Sequence, residues 1–262
     1  MTETEPPAAT ATDAETDPDR ETSQGTLLGG RIRYRQPRCG FRSGIEPVLL
    51  AAAVPAEAQS CVLEGGTGAG AGLLCLAARV AGVRGIGVER DSGLAALARA
   101  NFAGNGFASL TALAADVRAL APTLAADATF DHAFANPPWH GALGTEPAHP
   151  ARRAAKREGE RLQDWIVALA GRLERRGTLT LILPAAELGA SLAATKAAGL
   201  GEPRIFPLWP RQQRPAKLVL VQQTRGARGP LKLLAGLVLH RPDGRFTEQA
   251  EAVLRSAAAL TL

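Results

Sequence analysis

Long apolar runs are missing from this sequence of 262 residues. No uninterrupted apolar stretch reaches the about 18 residues of a membrane-spanning helix. The N-terminus is polar and acidic, whereas a secretory signal begins with basic residues and continues with apolar ones. We therefore expect a cytoplasmic protein with no membrane partner.

Cysteine and histidine are also scarce, and their spacing argues against a metal site. The three cysteines are Cys39, Cys61 and Cys75, and the four histidines are His132, His140, His149 and His240. The cysteines are too far apart for a zinc knuckle, and the histidines show no paired ligand spacing on a helix. We expect no bound metal, and we expect Cys61 and Cys75 to be reduced residues in apolar segments.

Acidic residues are concentrated at one end of the chain. The whole chain carries a net charge of +5, and its first 24 residues carry seven acids against one Arg, a net −6, which leaves +11 for residues 25–262. The first 24 residues consist of Thr, Ala, Pro and acids without an apolar period. We therefore expect a disordered acidic tail over residues 1–24 and a single folded domain over residues 25–262.

The basic residues of the folded part form two clusters. The first comprises Arg31, Arg33, Arg35, Arg38 and Arg42 with no acid between them, and the second comprises Arg152, Arg153, Lys156, Arg157 and Arg161 with Glu158 and Glu160 among them. Such clusters are typical either of an ordinary solvated surface or of a polyanion partner such as nucleic acid. Charge alone leaves both interpretations open.

From residue 61 onward, short apolar runs alternate with longer Ala- and Leu-rich segments of helical period. This alternation predicts an α/β fold, a mostly parallel sheet covered by helices. The predicted strands lie near residues 61–63, 85–88, 110–114, 132–135, 178–183, 204–208 and 217–222, with one more strand over 231–239. Outside the sheet we expect a hairpin over 26–36, a short helix over 46–53 and a final helix over 247–260.

A glycine-rich turn, VLEGGTGAGAG at residues 62–72, follows the first of these strands. Gly66, Gly68 and Gly70 allow a tight turn and a close approach of the backbone to a ligand where a helix begins. The turn also satisfies the dinucleotide pattern G-x-G-x-x-G/A, with Glu89 at the spacing that binds a ribose. Glu64 distinguishes a dinucleotide from S-adenosylmethionine as the ligand. An acid at this position repels a pyrophosphate but suits the ammonium group of S-adenosylmethionine.

The pattern E-x-G-x-G-x-G, followed by Glu89 after the second strand and Asp116 after the third, resembles that of class I S-adenosylmethionine-dependent methyltransferases. The resemblance implies a Rossmann-like fold with a seven-stranded, mostly parallel sheet and helices on both faces. It also implies that Glu89 binds the ribose hydroxyls and Asp116 the adenine amine of the cofactor. An alternative for Asp116 is a helix cap or loop acid.

The stretch FDHAFANPPWHG, residues 130–141, resembles the [D/N]-P-P-[Y/F/W] motif of methyltransferases that modify planar amines. The lone pair of such a nitrogen is delocalised, so the site must accept both hydrogens of the amine and turn the lone pair toward the methyl group. The Asn136 side chain and the Pro137 carbonyl are suitable acceptors. Pro138 restricts Pro137, and Trp139 offers a face on which a base stacks.

The resemblance extends to the bacterial tRNA adenine-N6 methyltransferase family that acts on valine tRNA. It covers nearly all of residues 26–262, through LLGGRIRYRQPRCGFRSGIEPVLLAAAVP, HGALGTEPAHPARRAAKREGE with LQDWI, and PLWPRQQRPAKLVLVQQTRG. The family has Asp where this chain has Glu46, near the methionine end of the cofactor, and a segment ending at Gly44 that contacts or covers the cofactor. The domain then divides into a hairpin and lid over 25–45, a core, and a C-terminal strand and helix over 231–262.

The function that this resemblance implies is methylation of an adenine N6 in tRNA or another structured RNA, most simply an adenine of a tRNA anticodon loop. We expect Arg31, Arg33 and Arg35 to bind phosphates around that loop. One alternative is a protein glutamine N5-methyltransferase, which uses the same acceptors but usually adds a helical N-terminal domain. Another is an NAD-dependent oxidoreductase or a nucleotide-binding module, which leaves Glu64 and the NPPW motif unexplained.

Overall fold

The structure is a computed structural model that describes residues 22–39, 42–120, 124–125, 127–138 and 162–262. Several predictions fall outside these residues: the acidic tail up to residue 21, Trp139 and the second basic cluster. Among the described helices, none is long and apolar enough to cross a membrane.

An antiparallel hairpin precedes the main domain, as predicted. Its strands are β1 (Thr22–Leu27) and β2 (Ile32–Pro37), joined by a 3-10 turn. Gly29 and Gly30 have φ angles of 64° and 98°, in the left-handed region that favours glycine. The hairpin starts earlier than expected, because residues 22–24, assigned to the tail from their composition, pair with residues 35–37.

The main sheet contains the seven predicted strands. They are β3 (Cys61–Gly65), β4 (Arg84–Glu89), β5 (Leu110–Ala114), β6 (Phe130–Ala135), β7 (Leu173–Pro184), β8 (Leu200–Arg211) and β9 (Leu218–Arg225). Their spatial order is β8-β9-β7-β6-β3-β4-β5, parallel from β7 to β5, with β9 antiparallel to both of its neighbours.

Two short strands extend this sheet to nine. The apolar run over residues 231–239 predicted one strand, and the structure forms two, β10 (Lys232–Leu233) and β11 (Leu237–His240), both parallel to β8. Gly236 lies between them with a φ of 80°, which interrupts the extended conformation.

Helices cover both faces of the sheet. They are α1 (Glu46–Ala53), α2 (Ala71–Arg79), α3 (Ser92–Gly104), α4 (Leu162–Gly171), α5 (Leu188–Ala197) and α6 (Glu248–Ser256). One apolar core includes residues of α1, α2, α3, α6 and the hairpin, and a second core on the other face includes residues of α4 and α5. Asp91 caps α3 by accepting from the Leu94 N–H (2.9 Å), and α3 ends before Asn105 and Gly106.

The strand order places the site. β3 pairs with β4 on one side and with β6 on the other. The chain therefore adds strands first on one side of β3 and then on the other, and the strand order reverses between β3 and β6. In open α/β sheets, ligands bind at this topological switch point, outside the carboxyl ends of the strands. Glu64, Glu89, Asp116 and Asn136 all lie at or just beyond the carboxyl ends of β3 to β6, at that edge.

Candidate active site

The glycine turn after β3 adopts the geometry that its sequence predicts. Gly66, Gly68 and Gly70 have φ angles of 66°, 55° and 89°. A Cβ atom on Gly66 would lie 2.7 Å from the ring of Trp165 on α4, so a side chain there would clash. A Cβ atom on Gly68 meets nothing within 4 Å. The turn is therefore closed on the side of α4 and open beside Gly68.

Glu64 is buried, with 5% of its surface exposed, and lies in β3 just ahead of the turn. Its Oε2 accepts hydrogen bonds from the Thr67 hydroxyl (2.5 Å) and the Leu73 N–H (3.2 Å). Burial raises the pKa of Glu64 to about 8, and these two hydrogen bonds reduce the shift only in part. No ion pair with Glu64 occurs among the described residues, so a cationic ligand group would stabilise its carboxylate.

Glu89 ends β4 beside the turn. Its Oε2 accepts from the Gly68 N–H and its Oε1 from the Asp91 N–H, both at 3.0 Å. Because each carboxylate oxygen has two lone-pair sites, both oxygens keep capacity for further donors such as hydroxyl groups. The carboxylate is thereby held at the mouth of the glycine turn.

Asp116 follows β5 and has close partners of its own. It caps a 3-10 turn by accepting from the Arg118 N–H (2.8 Å), and its Oδ2 lies 2.6 Å from Arg118 Nη2. These contacts with Arg118 lower the pKa of Asp116. Asp116 thus acts as the helix cap that was its alternative interpretation. It also lies just beyond the carboxyl end of β5, at the site edge.

Asn136 and Pro137 follow directly after the last residue of β6. The Asn136 Oδ1 atom is buried and has no hydrogen-bond partner among the described residues. A buried acceptor without a donor costs about 1–3 kcal/mol. Pro137 is buried and Pro138 is exposed. The end of β6 therefore presents a desolvated acceptor at the switch point, which a ligand N–H would satisfy.

The segment with Gly44 and Glu46 leads into α1. A Cβ atom on Gly44 would lie 2.3 Å from Glu46 Oε2, so the Glu46 side chain folds back over this glycine. Ser43 is held from β2, since its N–H donates to Gln36 Oε1 (3.1 Å) and its hydroxyl lies 2.8 Å from the Tyr34 hydroxyl. Tyr34 is buried, and burial raises its pKa to about 12.

Asn101 is a residue that the sequence interpretation missed. This buried side chain of α3 donates to the carbonyls of Ala69 (2.8 Å) and Arg35 (2.8 Å) and accepts from the Arg35 N–H (3.0 Å). It therefore connects the hairpin to the glycine turn. Its one sequence signal is an amide among the apolar positions of α3, next to Phe102.

Two of the hairpin arginines, Arg31 and Arg33, contact the carboxyl ends of helices. Arg31 Nη1 donates to the Ser256 carbonyl (2.9 Å), and the Arg33 guanidinium donates to the Gly104 carbonyl, both at helix carboxyl ends. The amino end of α3 follows Glu89 at the site edge, and the 13 residues of α3 span about 20 Å. Arg33 thus lies at the end of α3 that is remote from the site.

Acidic, cysteine and histidine side chains do not form a metal-binding group of three or more within the part of the chain that the structure describes. The site therefore consists of four elements that converge: the glycine turn, Glu64 beneath it, Glu89 beside it and Asn136 at the end of β6. Arg31 and Arg33 do not join this group, and the backbone of Arg35 is connected to the glycine turn through Asn101.

Solved structures share this fold. The chain is similar to a predicted O-methyltransferase from Agrobacterium tumefaciens, with a TM-score of 0.70 and 25% identity, over 83% of this chain and 99% of that one. It is also similar in fold to a 16S rRNA N2 G1207 methyltransferase from T. thermophilus in complex with AdoMet and guanosine, with a TM-score of 0.54 and 19% identity, over 78% of this chain and 50% of that one.

Curated proteins are similar over most of the sequence, although no protein-family model matches. A tRNA1(Val) (adenine(37)-N6)-methyltransferase from Dickeya chrysanthemi is 29% identical over 226 residues, which are 83% of this chain and 88% of that protein. The protein of the same description from Actinobacillus succinogenes is 31% identical over 170 residues, which are 64% of this chain and 70% of that protein.

Fold and site together define an S-adenosylmethionine-dependent methyltransferase. Within that class, the chain belongs to the family of tRNA1(Val) (adenine-N6)-methyltransferases.

Proposed function

We propose that this protein methylates the exocyclic N6 of an adenine in the anticodon loop of a tRNA, using S-adenosylmethionine. The names of its relatives specify adenine 37 of tRNA1(Val). A loop adenine is largely free of base pairing, so the enzyme avoids the few kcal/mol needed to flip a base out of a duplex. Because this substrate is a tRNA, we place the protein in the cytoplasm.

The described residues fit this cofactor on two observations. Glu64 is buried without a cationic partner among them, which suits the ammonium group of the methionine moiety, and the open side of Gly68 leaves room for a ligand against the turn. We assign the ribose hydroxyls to Glu89 and the adenine amine to Asp116. Gly66 and Gly70 shape the turn, and Gly44 and Glu46 border the methionine end.

When bound, S-adenosylmethionine supplies a methyl group on a positively charged sulfur. Asn136 Oδ1 accepts one hydrogen of the adenine amine, and the Pro137 carbonyl accepts the other. This arrangement would turn the nitrogen lone pair toward the methyl group. The N–C bond would form as the bond between sulfur and the methyl group breaks, so that the sulfur leaves as a neutral thioether, and the extra N–H proton would then pass to water. Positioning and preorganised acceptors carry the catalysis, without a covalent enzyme intermediate. Pro138 restricts the conformation of Pro137.

A single observation carries this proposal: the buried Asn136 Oδ1 atom at the end of β6 has no partner among the described residues. An amine hydrogen of the substrate supplies the missing donor. Trp139, three residues after Asn136, is proposed to stack on the target base. Trp139→Ala should therefore weaken substrate binding by about 1–3 kcal/mol.

The hairpin arginines Arg31, Arg33 and Arg35 are proposed to contact tRNA phosphates, Arg31 and Arg33 in addition to their contacts with helix ends. Replacing Arg31, Arg33 and Arg35 together by Gln should weaken tRNA binding and flatten its salt dependence, while cofactor affinity stays unchanged. A filter-binding titration over several NaCl concentrations measures this effect. An unchanged salt slope would remove these residues from the tRNA interface.

The function is tested by nucleoside mass spectrometry of tRNA incubated with the protein and labelled S-adenosylmethionine. We expect N6-methyladenosine in the tRNA of treated samples. A parallel reaction contains a release-factor preparation in place of the tRNA. Label in the protein and none in the RNA would contradict the proposal and favour the glutamine alternative.

A further inference from the structure

The loop between β8 and β9 lies at the same edge of the sheet as Asn136. Ala135 on β6 pairs with Leu181 on β7, and Pro184 on β7 pairs with Leu218, the first residue of β9. The residues just after Ala135 are therefore at the same height along the strand direction as the start of β9. At about 4.8 Å per strand, Lys217 is roughly 10 Å from Pro138 across the sheet.

This loop, RQQRPAK at residues 211–217, carries three exposed cations and no acid. They are Arg211, Arg214 and Lys217. No ion pair with these three side chains occurs among the described residues. Several cations elsewhere in the described part of the chain do pair with acids: Arg118 with Asp116, Arg204 and Lys232 with Glu202, Arg241 with Glu248, Arg245 with Asp243 and Arg255 with Glu251. Other exposed arginines, such as Arg175, Arg176 and Arg228, also have no ion pair there, so it is the position of the loop at the edge of Asn136 that distinguishes its cations.

The loop is held in place by its backbone. The Arg214 N–H donates to the Arg211 carbonyl (3.2 Å), and the Lys217 carbonyl accepts from the Ala185 N–H (2.9 Å). On the other side, β11 pairs with the end of β8, His240 opposite Arg211, and His240 Nδ1 lies 3.1 Å from the Pro210 carbonyl. A loop whose backbone is already held loses less conformational freedom when it binds a ligand than a free loop does.

Resting on the proposed function, we infer that Arg211, Arg214 and Lys217 bind the RNA phosphates that flank the target adenine. Lys217 is the cation of this loop nearest the acceptor, and Arg211 and Arg214 lie farther from β6 at the same edge of the sheet. Unpaired cations at this edge, with no acid in the loop, attract a polyanion. The distance of roughly 10 Å between Lys217 and Pro138 matches about three nucleotides, at about 3.4 Å per nucleotide along a strand. Lys217 can therefore contact a phosphate about three nucleotides from the target base. The loop thus aligns the strand whose base enters at Asn136.

The test compares two triple variants that remove equal charge at opposite edges of the sheet. The loop variant is Arg211→Gln, Arg214→Gln and Lys217→Gln. The control variant is Arg175→Gln, Arg176→Gln and Arg228→Gln, all exposed residues near the start of β7 or after the end of β9, at the edge away from Asn136. Affinity for tRNA is measured over a series of NaCl concentrations, together with cofactor affinity and the KM for tRNA.

We expect the loop variant to reduce the slope of log K against log salt by about 2, since each contact with a single strand contributes roughly 0.7. Its KM for tRNA should rise at least about tenfold, with wild-type cofactor affinity. The control variant should keep a wild-type slope. The conservative variant Arg211→Lys and Arg214→Lys should also keep it, which separates charge from a change in loop packing.

Equal slopes and KM values for the loop variant and the wild type, with tRNA methylated by both, would overturn the inference and leave the proposed function intact. Methylation of a protein and of no RNA by the wild type would instead overturn the proposed function.

Discussion

Asn136 is the residue on which the proposed mechanism depends most. Its Oδ1 is buried and has no donor among the described residues, and in the proposed mechanism the substrate amine supplies that donor. Asn136→Ala should cut turnover at least about 100-fold, the scale for loss of one preorganised polar group, and leave cofactor affinity nearly unchanged. Single-turnover methylation and calorimetry measure the two effects. Asn136→Asp retains an acceptor and should recover part of the rate. A wild-type rate for Asn136→Ala would mean that the NPPW motif ends β6 and has no catalytic role.

The proposed contact between Glu64 and the cofactor's ammonium group would make cofactor affinity depend on pH. Its pKa of about 8 means that the free protein holds a neutral carboxyl at pH 6, whereas the cofactor's ammonium group favours the carboxylate. Cofactor affinity should therefore rise with pH between about 5.5 and 7, by up to tenfold per unit. Calorimetry across this range measures the slope. Glu64→Gln cannot ionise and should bind weakly with no slope at all; a wild-type slope in that variant would contradict the assignment.

The same group affects stability with the opposite sign. Without cofactor, the folded state keeps the Glu64 proton up to about pH 8, while the unfolded chain releases it near 4.5. The folded state binds the extra proton, so the contribution of Glu64 to stability falls as pH rises from about 4.5 to 8. Urea unfolding at several pH values should show this decline in the wild type and its absence in Glu64→Gln.

At the scale of elements, the hairpin and the glycine turn meet through α3. Asn101 contacts both Ala69 in the turn and Arg35 in β2, whereas Asn105 contacts the hairpin, at Arg33, but not the turn. Asn101→Ala should lower the free energy of unfolding by about 1–3 kcal/mol and weaken cofactor binding, because buried groups lose their partners. Asn105→Ala should loosen the hairpin with cofactor affinity unchanged. Urea unfolding measures the stability of the two variants, and calorimetry measures their cofactor affinity. A cofactor affinity of Asn101→Ala equal to that of the wild type would exclude coupling through Asn101.

The second core explains one family segment at the same scale. Trp165, in the LQDWI stretch, packs against the outer side of Gly66. A side chain on Gly66 would meet this ring, so the glycine is required by both its positive φ and the close approach of α4. The segment therefore supports the turn from behind and leaves the open side beside Gly68 for the ligand.

For the whole molecule, the charge of +11 on residues 25–262 should govern tRNA recognition. The kcat/KM for tRNA should fall at least about tenfold between 50 and 200 mM NaCl, because phosphate contacts release counterions. The affinity for S-adenosylmethionine, measured over the same range, should change far less and serves as the control. A salt-independent kcat/KM would mean that phosphates contribute little to binding.

The sequence by itself determined the class of fold. Strand and helix periods are local, so they predicted the order of β3 to β9 along the chain, and the family resemblance predicted which residues serve the site, among them Glu64, Glu89 and Asn136. Only the tertiary structure decided which strands are neighbours: β9 inserts between β7 and β8, and β10 and β11 add to β8. These pairings join residues far apart in sequence, which no local period encodes.

The same limit applies to single residues. The partners of Asn101, the lack of a donor to Asn136 Oδ1 among the described residues and the position of Lys217 at the site edge all depend on long-range packing. A sequence shows which groups can donate, accept or carry charge. Whether a partner satisfies them is decided when the folded chain removes water and brings distant segments together.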